Sequence, residues 1–535
     1  MTTVAQVPRL IEELSAELSN VVDVPGLAFK PTGTGRFSLG PGPDLYQRVV
    51  PFLVGKGGRL STLVATDERS RTGDFLLRAL VMFDHDGLIV EVRQNFSGRL
   101  PVLISITRYV PAAHWQEREV AEMFGFELVE HPEPYRHLQH EHTAWDYHPL
   151  RKDVSPMRPV PTAAGRPPPF RVVSGEGIHE IPVGPIHAGI IEPGHFRFFA
   201  LGEKILHLQI RLGYQHKGVE KLFEGRRPAD GTFLAERISG DSAFAHAYAY
   251  CLAIEDLANV QAPPRAAHLR ALALELERLA NHVGDLGGLC TDIGFAYGAS
   301  HFGRLRAEFL NKAEALSGNR FLMGYCCPGG VKHGIDETLL QEIKGWIPRV
   351  RADFSDVADH TFSSETVIAR MEQVGILSGR AARAFGMVGP AARASGIAHD
   401  TRRDFSLPPY QALGFEPAFE SSQDVTARAR IRHREALHSM ELILHILRSM
   451  PSGPIRVPLT RFAPDRLGLG QVEGWRGEIV TCVIVDDEER LWRVRVRDPS
   501  VQNWIGLALA AELNTVSDFP LCNKSFNLSY SGNDL

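Results

Sequence analysis

Apolar residues change their spacing along this 535-residue chain, and each spacing predicts a different element. Between residues 75 and 107 they run in short blocks: Phe75 to Phe83, Leu88 to Val92 and Val102 to Thr107. Asp84-His85-Asp86-Gly87 separates the first two. Short β-branched and aromatic runs parted by turn-forming residues predict strands, the first two joined as a hairpin. From Leu269 the period becomes helical, with Leu272, Ala273, Leu276, Leu279, Ala280 and Val283 on one face. Phe302, Leu305, Phe309, Ala313 and Leu316 repeat that pattern, and Leu437, Met440, Leu444 and Leu447 do so again. Long helices with one apolar stripe bury it against one another, which predicts a bundle. Near the end, Ile479 to Val485 and Leu491 to Val496 flank Asp486-Asp487-Glu488-Glu489 and predict a second hairpin.

Proline marks the change of regime. Pro156, Pro159, Pro161, Pro167, Pro168 and Pro169 crowd one stretch, and proline at that density favours extended, solvated chain. The expected division is a domain over 1–155, a linker over 156–175 and a larger domain over 176–535, since the length exceeds what one core usually serves. The fold class is α+β: an N-terminal α+β domain with an antiparallel sheet, then a mainly helical domain with small β elements.

Composition narrows the class. A hydrophobic share of 44% and a charged share of 23% are those of an ordinary globular protein. The net charge of -5 offers no basic footprint for nucleic acid. No run approaches the ~18 to 20 apolar residues of a spanning helix, and Met1 to Ser15 lacks an h-region with a cleavage site. The expected location is cytoplasmic, with any membrane link made through partners. The six cysteines, Cys251, Cys290, Cys326, Cys327, Cys482 and Cys522, include no Cys-x-x-Cys pair. That argues against a zinc ribbon or a self-contained iron-sulfur site. Buried reduced thiols are expected, the adjacent Cys326 and Cys327 included, because free cysteine packs as a small hydrophobe.

Candidate chemistry concentrates in two segments: Glu236-Arg237-Ile238-Ser239-Gly240-Asp241-Ser242-Ala243-Phe244-Ala245-His246, and Asp518-Phe519-Pro520 through Ser529-Tyr530-Ser531-Gly532. Ser239, Ser242 and His246 stand three and four residues apart, so a helix there would align them on one face. With Glu192 and Arg476 brought in by the fold they would line a polar cavity, His246 and Glu192 serving as proton carriers. The alternative is that these groups only satisfy one another's hydrogen bonds. Elsewhere Glu117, Arg118 and Glu119 set alternating charge beside Trp115, which suits either a docking surface or a solvated turn. The small-residue helix from Ala243 to Ile254 is either core or a contact face. His216, His282 and Glu220 are expected to be structural or interface groups.

Pro111-Ala112-Ala113-His114-Trp115-Gln116-Glu117-Arg118-Glu119, Met123-Phe124-Gly125 and His148-Pro149-Leu150-Arg151-Lys152-Asp153 resemble the small hydrophilic subunit of complex I, which carries no cofactor. From Gly184 onward the chain resembles the family shared by the quinone-chamber subunit of complex I and the large subunits of membrane-bound NiFe-hydrogenases. Gly184-Pro185-Ile186-His187, Glu192-Pro193-Gly194-His195-Phe196-Arg197, Gly213 through Leu222, Glu277-Arg278 with Asn281-His282, Asp292-Ile293-Gly294, Pro328-Gly329-Gly330, Arg393-Ala394-Ser395-Gly396 and Glu473 through Glu478 follow in family order. Fusion of these two subunits is typical of formate-hydrogenlyase-type hydrogenases and their relatives.

The resemblance implies a nickel site held by two Cys-x-x-Cys pairs, yet Ser239, Ser242, Ser529 and Gly532 fill those positions. Hydroxyls are poor ligands for a thiolate-preferring metal and glycine has none to offer, so a nickel-iron centre is not expected. Nor is a cleavable tail of the kind that accompanies nickel insertion, since the chain ends at Leu535. For quinone, the resemblance places the headgroup histidine at His195 and its tyrosine partner at Gly240, which has no hydroxyl; Tyr214, Tyr248 and Tyr530 are substitutes. The expected catalytic residues are Glu192, His195, His246 and Arg476, with His195, Ser239, Ser242 and Ser529 lining a cofactor cavity. No cofactor is expected on this chain alone; quinone is a candidate ligand. Electrons would come from a 4Fe-4S cluster in an adjacent small subunit. Further implied partners are a ferredoxin-like subunit and antiporter-like and anchoring membrane subunits that hold the chain at the inner face of the cell membrane. An active formate-hydrogenlyase-type hydrogenase component and a non-catalytic scaffold between cluster subunit and membrane arm stay open as alternatives.

Overall fold

The computed structural model describes every residue except 1–7, 19, 25, 166–172, 190 and 406. Pro167, Pro168 and Pro169 of the predicted linker lie outside the described residues. The chain divides into two compact units, Met1–Pro169 with Ala384–Gly386, and Phe170–Arg383 with Met387–Leu535.

The first unit is built on a five-stranded sheet in the order Lys30–Gly33, Arg36–Leu39, Leu88–Ser97, Asp74–Phe83, Arg59–Asp67. The predicted hairpin is present: Asp74–Phe83 and Leu88–Ser97 pair antiparallel from Asp74 opposite Ser97 to Phe83 opposite Leu88. The sheet is mixed rather than purely antiparallel, because Arg36–Leu39 runs parallel to Leu88–Ser97. The third predicted strand is cut short. Only Val102–Ile104 is extended, and it pairs with Glu127–Val129 outside the main sheet.

Glu117 explains that interruption. Its carboxylate accepts hydrogen bonds from Ser105 Oγ (2.5 Å), Ile106 N (2.8 Å), Thr107 Oγ1 (2.7 Å) and Tyr46 Oη (2.8 Å). Residues 105–107 therefore curl around a buried acid instead of continuing a ladder. This corrects the docking-surface expectation at its centre: Glu117 is 0% exposed and Trp115 is buried. Arg118 is turned onto the carbonyls of Tyr135 and Arg136. Burial pushes the Glu117 carboxyl above its usual range even against these donors.

The second unit is mainly helical. Pro264–Ile293, Ala296–Ser317 and Val425–Arg448 carry the predicted apolar stripes into one core, which Glu337–Ser363, a helix the sequence reading did not single out, joins. Two antiparallel three-stranded sheets accompany them: Ile178–Val183, His195–Leu201 and Lys204–Arg211, and then Gly468–Gly474, Gly477–Val485 and Leu491–Arg497. The last two strands are the predicted second hairpin.

Helix Ala243–Ala258 is core, not a contact face. A side chain at Gly470 would stand 1.8 Å from Ala249 O, and one at Gly468 would stand 2.4 Å from Ala253 O. The small residues thus let helix and strand backbones meet. Charge is buried beside them. Arg393 bonds Glu435 (2.6 Å) and Glu473 (2.8 Å), Glu435 bonds His282 (2.8 Å), and Arg402 joins Asp400 (2.7 Å) to Glu275 (3.0 Å). Arg278 donates from this cluster to the carbonyls of Glu473 (2.5 Å) and Gly474 (3.1 Å), which fixes the turn that carries Trp475 and Arg476. Beyond that turn Gly477, at φ 132°, packs against the Gly389 backbone, where a side chain would begin 2.8 Å from Gly389 N.

No helix among the described residues is long and apolar enough to cross a membrane. Glu117→Ala strands four donors in the first unit, and the expected loss is about 3 kcal/mol or more; urea denaturation followed by circular dichroism measures it.

Candidate functional site

The first motif does not lie on one helix. Ser239 is extended (φ -142°, ψ 117°), Gly240–Ser242 form a 3-10 turn, and the α-helix begins only at Ala243. Glu277 accounts for that start. Its carboxylate accepts Phe244 N at 2.7 Å and Ala245 N at 3.1 Å, taking two of the free N–H groups of the helix head. The expected alignment of Ser239 with Ser242 and His246 on one helical face is therefore corrected: Ser239 turns away to meet the other motif.

That second motif is also rearranged. Asp518-Phe519-Pro520 heads helix Phe519–Phe526, where Phe519 packs on Phe196 and Phe198, so this Asp-Phe-Pro is a helix start beside the small sheet. The helix ends at Asn527 in the left-handed region (φ 45°). Ser529 then caps the buried helix Tyr530–Asp534, its Oγ accepting Gly532 N at 2.9 Å.

The two segments meet hydroxyl to hydroxyl. Ser239 Oγ and Ser529 Oγ are 2.8 Å apart, and Ser239 also donates to Asp241 Oδ1 at 3.0 Å. Arg476 clamps the junction. It donates to both Asp241 oxygens (2.5 and 2.7 Å), to Ser242 Oγ (3.3 Å) and to the Asn527 carbonyl (2.6 Å). Trp475 Nε1 and Asn281 Nδ2 hold the Asp241 carbonyl from two sides, each at 2.9 Å. Glu192 closes the far edge by accepting Ser531 N at 3.2 Å. His246, fully buried, pairs through Nε2 with Asp498 Oδ2 at 3.0 Å.

Electrostatics follow from these partners. Buried surroundings work against ionisation of Asp241, although 38% of its side chain meets solvent; the bidentate Arg476 outweighs them and keeps the carboxyl below its usual range. Burial likewise opposes Asp498, and the hydrogen bond from His246 with the charge of Arg476 brings it below the usual value. Glu277 behaves oppositely. Burial pushes it up to about 8, the nearby Asp241 adds to the rise, and two backbone N–H groups only partly offset it.

Of the expected site residues, Ser239, Ser242, Ser529, Arg476 and Glu192 come together, with His246 beside them through Asp498. His195 stands apart. It opens strand His195–Leu201 opposite Arg211, and burial with the charges of Arg197 and Arg211 lowers its pKa. Tyr248 packs under Arg270 at 5.0 Å in another part of the core, and Tyr530 lies against Trp504 and Phe196. Gly240 faces open space: no atom lies within 4 Å of where its side chain would begin. It lines a cleft with Glu277, Asn281, Arg306 and Arg320. His216, His282 and Glu220 have structural partners in the Asp534 carbonyl, Glu435 and the Arg493–Arg495 pair. All six cysteines are buried as thiols. Sequence reasoning missed Asp241, Glu277 and Asp498 as site groups. Asp241 was readable, since it lies between the two serines; Asp498, in Arg497-Asp498-Pro499-Ser500, carries no motif.

The donor set does not fit a thiolate-held nickel-iron centre: three hydroxyls and a glycine stand at its four positions, and two of those hydroxyls are bonded to each other. In chain order, an α+β unit precedes a helical unit whose first motif and C-terminal segment close around one buried arginine. The family described as respiratory-chain NADH dehydrogenase, 49 kDa subunit, matches residues 292–468; its 30 kDa subunit family matches 42–159, and the nickel-dependent hydrogenase family matches 217–285. Formate hydrogenlyase subunit 5 of Escherichia coli K12 is 35% identical over 492 residues, covering 91% of this chain and 86% of that protein. Hydrogenase-4 component G of the same organism is 34% identical over 482 residues, covering 89% and 84%. Among solved structures, a chain of the membrane-bound sulfane sulfur reductase, an archaeal respiratory membrane complex, aligns with a TM-score of 0.63 and 25% identity over 67% of this chain and 99% of its own. This chain belongs to the family of complex I-type and membrane-bound hydrogenase large subunits that includes formate hydrogenlyase subunit 5. Its role is that of a peripheral-arm oxidoreductase subunit.

Glu277 gives a pH prediction. A carboxyl whose folded pKa is raised, here to about 8 from 4.5, contributes stability that is complete below the unfolded value and is lost as pH rises through the folded one. The wild-type unfolding midpoint is therefore expected to fall between about pH 5 and 8 more than that of Glu277→Gln, as thermal denaturation of both proteins across that range would measure.

Proposed function

We propose that this chain is the large subunit of a membrane-associated, complex I-related oxidoreductase in which a nickel-free polar cavity couples proton movement to redox chemistry at a partner's 4Fe-4S cluster. The observation that carries this reading is the Ser239–Ser529 hydrogen bond of 2.8 Å under the Arg476–Asp241 clamp. Donors at former ligand positions are engaged with one another, and titratable groups surround them. Hard, neutral hydroxyls suit proton transfer and hydrogen bonding to a small redox substrate better than they suit nickel. The likeness to a chain of a membrane-bound sulfane sulfur reductase supports an activity other than hydrogen turnover on this fold.

In this reading the cluster-bearing small subunit, a ferredoxin-like subunit and antiporter-like and anchoring membrane subunits complete the complex at the inner face of the cell membrane, with a Pro-rich linker over 156–175 between the two domains. Glu192, His246 and Arg476 carry the polar chemistry, and no step passes through nickel. Elemental analysis of the purified complex is expected to find nickel well below one atom per chain; one nickel per chain would overturn the reading in favour of an active hydrogenase component. Separate substitution of Glu192, His246 and Arg476 is expected to lower turnover with the complex still assembled, whereas a scaffold would lose nothing.

Quinone is the second reading, favoured by one observation: His195 is only half-buried at the start of its strand and has no part in the serine cluster, so it is free to meet a headgroup. Its pKa is depressed by burial and by Arg197 and Arg211, which favours a neutral ring as hydrogen-bond partner. In this reading His195→Ala cuts quinone reduction by the complex at least tenfold (about 1.4 kcal/mol), and unchanged turnover in a quinone reductase assay sinks it.

A further inference from the structure

Gly532 stands at the last of the four former ligand positions, and that position is not open. A side chain begun there would lie 2.5 Å from Asp498 Oδ2, 2.6 Å from Asp498 Cγ and 2.9 Å from Ser529 Oγ. All three distances are shorter than carbon tolerates, so the Asp498 carboxylate fills the space that a ligand side chain would need.

The carboxylate is held there deliberately by its surroundings. Asp498 is 0% exposed, one oxygen accepts Ser500 N at 2.7 Å, and the other faces His246 Nε2 at 3.0 Å. His246 is equally buried, and its second ring nitrogen, Nδ1, has no hydrogen-bond partner. A buried carboxylate needs a donor or a positive charge beside it, and a buried ring nitrogen without a partner is costly to keep. The charged groups around the pair come from separate elements. Arg476 lies on the turn after strand Gly468–Gly474, Asp241 on the 3-10 turn, and Lys217 on the loop ahead of helix Val219–Phe223; all three interact electrostatically with Asp498. Glu277 caps the helix that carries His246.

We propose that Asp498 has replaced the fourth ligand in both volume and charge, and that it positions His246 as the proton-exchanging group of the site. This rests on the proton-coupling reading above. With a carboxylate on Nε2, the neutral ring keeps its hydrogen on Nε2 and leaves Nδ1 bare. A proton delivered to the buried Nδ1 by water or a protonated redox substrate, which is left as its conjugate base, gives the imidazolium, whose Nε2–H still donates to Asp498. The same proton later leaves from Nδ1, and no electron moves. Asp498 is a positioning residue, since it acts through the ring.

The full-length chain itself provides the test, without turnover or metal, so its result is independent of whether the complex holds nickel. Gly532→Ala is made in the wild type, in Asp498→Asn, which keeps the volume, and in Asp498→Ala, which removes it. The expected result is a fall in unfolding midpoint of roughly 3 to 8 °C in the first two backgrounds and little change in the third. Equal tolerance in all three overturns the volume replacement. In parallel, nitrogen-15 histidine spectra, with His246 assigned by comparison with His246→Gln, follow its ring between about pH 5 and 9. An Nε2-protonated ring that gains its second proton at Nδ1, at lower pH in Asp498→Asn than in wild type, supports the proposal. A ring on the other tautomer, or a titration that Asp498→Asn leaves unmoved, overturns it. Should Asp498→Ala fail to fold, the Asp498→Asn titration decides.

Discussion

One guanidinium holds the candidate site together. Arg476 spends its donors on Asp241, Ser242 and the Asn527 carbonyl, which come from opposite ends of the second unit's chain. A planar group with five fixed donors suits this task, because it can bind a carboxylate at two points and still reach a hydroxyl and a carbonyl. Ser239 and Ser529 meet at 2.8 Å under that clamp. A lysine at the same place, with one freely turning ammonium, could not fix both segments at once.

The clamp depends in turn on a deeper layer of buried charge. Arg278 secures the turn that carries Arg476 by its carbonyls, and Arg278 belongs to the cluster of Glu275, Arg402, Asp400, Arg393, Glu473 and Glu435. Paired charges in a core add little net stability over a well-packed apolar core, yet removing one partner is costly. We read this cluster as serving position more than stability: it fixes where the 475–477 turn lies, and so where Arg476 points. The same economy appears in the first unit, where one buried acid, Glu117, organises Tyr46 and residues 105–107.

The ionisable groups gathered here are carboxylates and one guanidinium, with hydroxyls between them. Ser239, Ser242, Ser529 and Gly532 are neutral, while the negative charge of the site resides in Asp241 and Asp498, each below its usual pKa and each near Arg476. Glu277 stands out as a carboxyl that burial pushes up to about 8, beside a cleft that also reaches Gly240. The site therefore carries ionisable groups although Ser239, Ser242, Ser529 and Gly532 supply none.

Periodicity alone determined the α+β class, the Asp74–Phe83 and Leu88–Ser97 hairpin, the helical stripes at Leu269, Phe302 and Leu437, and the late hairpin, because those patterns are local and repeat. The motif residues Ser239, Ser242, Ser529, Arg476 and Glu192 were also legible, since their order along the chain carries the family resemblance. What the sequence could not decide was direction and company. Glu117 read as surface charge until Tyr46 and Ser105 were found around it, and Ser239 read as helical until Glu277 was found capping the helix four residues later. Ala249 and Ala253 read as either core or a contact face until Gly470 and Gly468 were found against them. Asp498 had no motif at all. Its importance comes from lying 3.0 Å from His246 and in the space above Gly532, and contacts between residues hundreds of positions apart are set by packing, which only the tertiary structure decides.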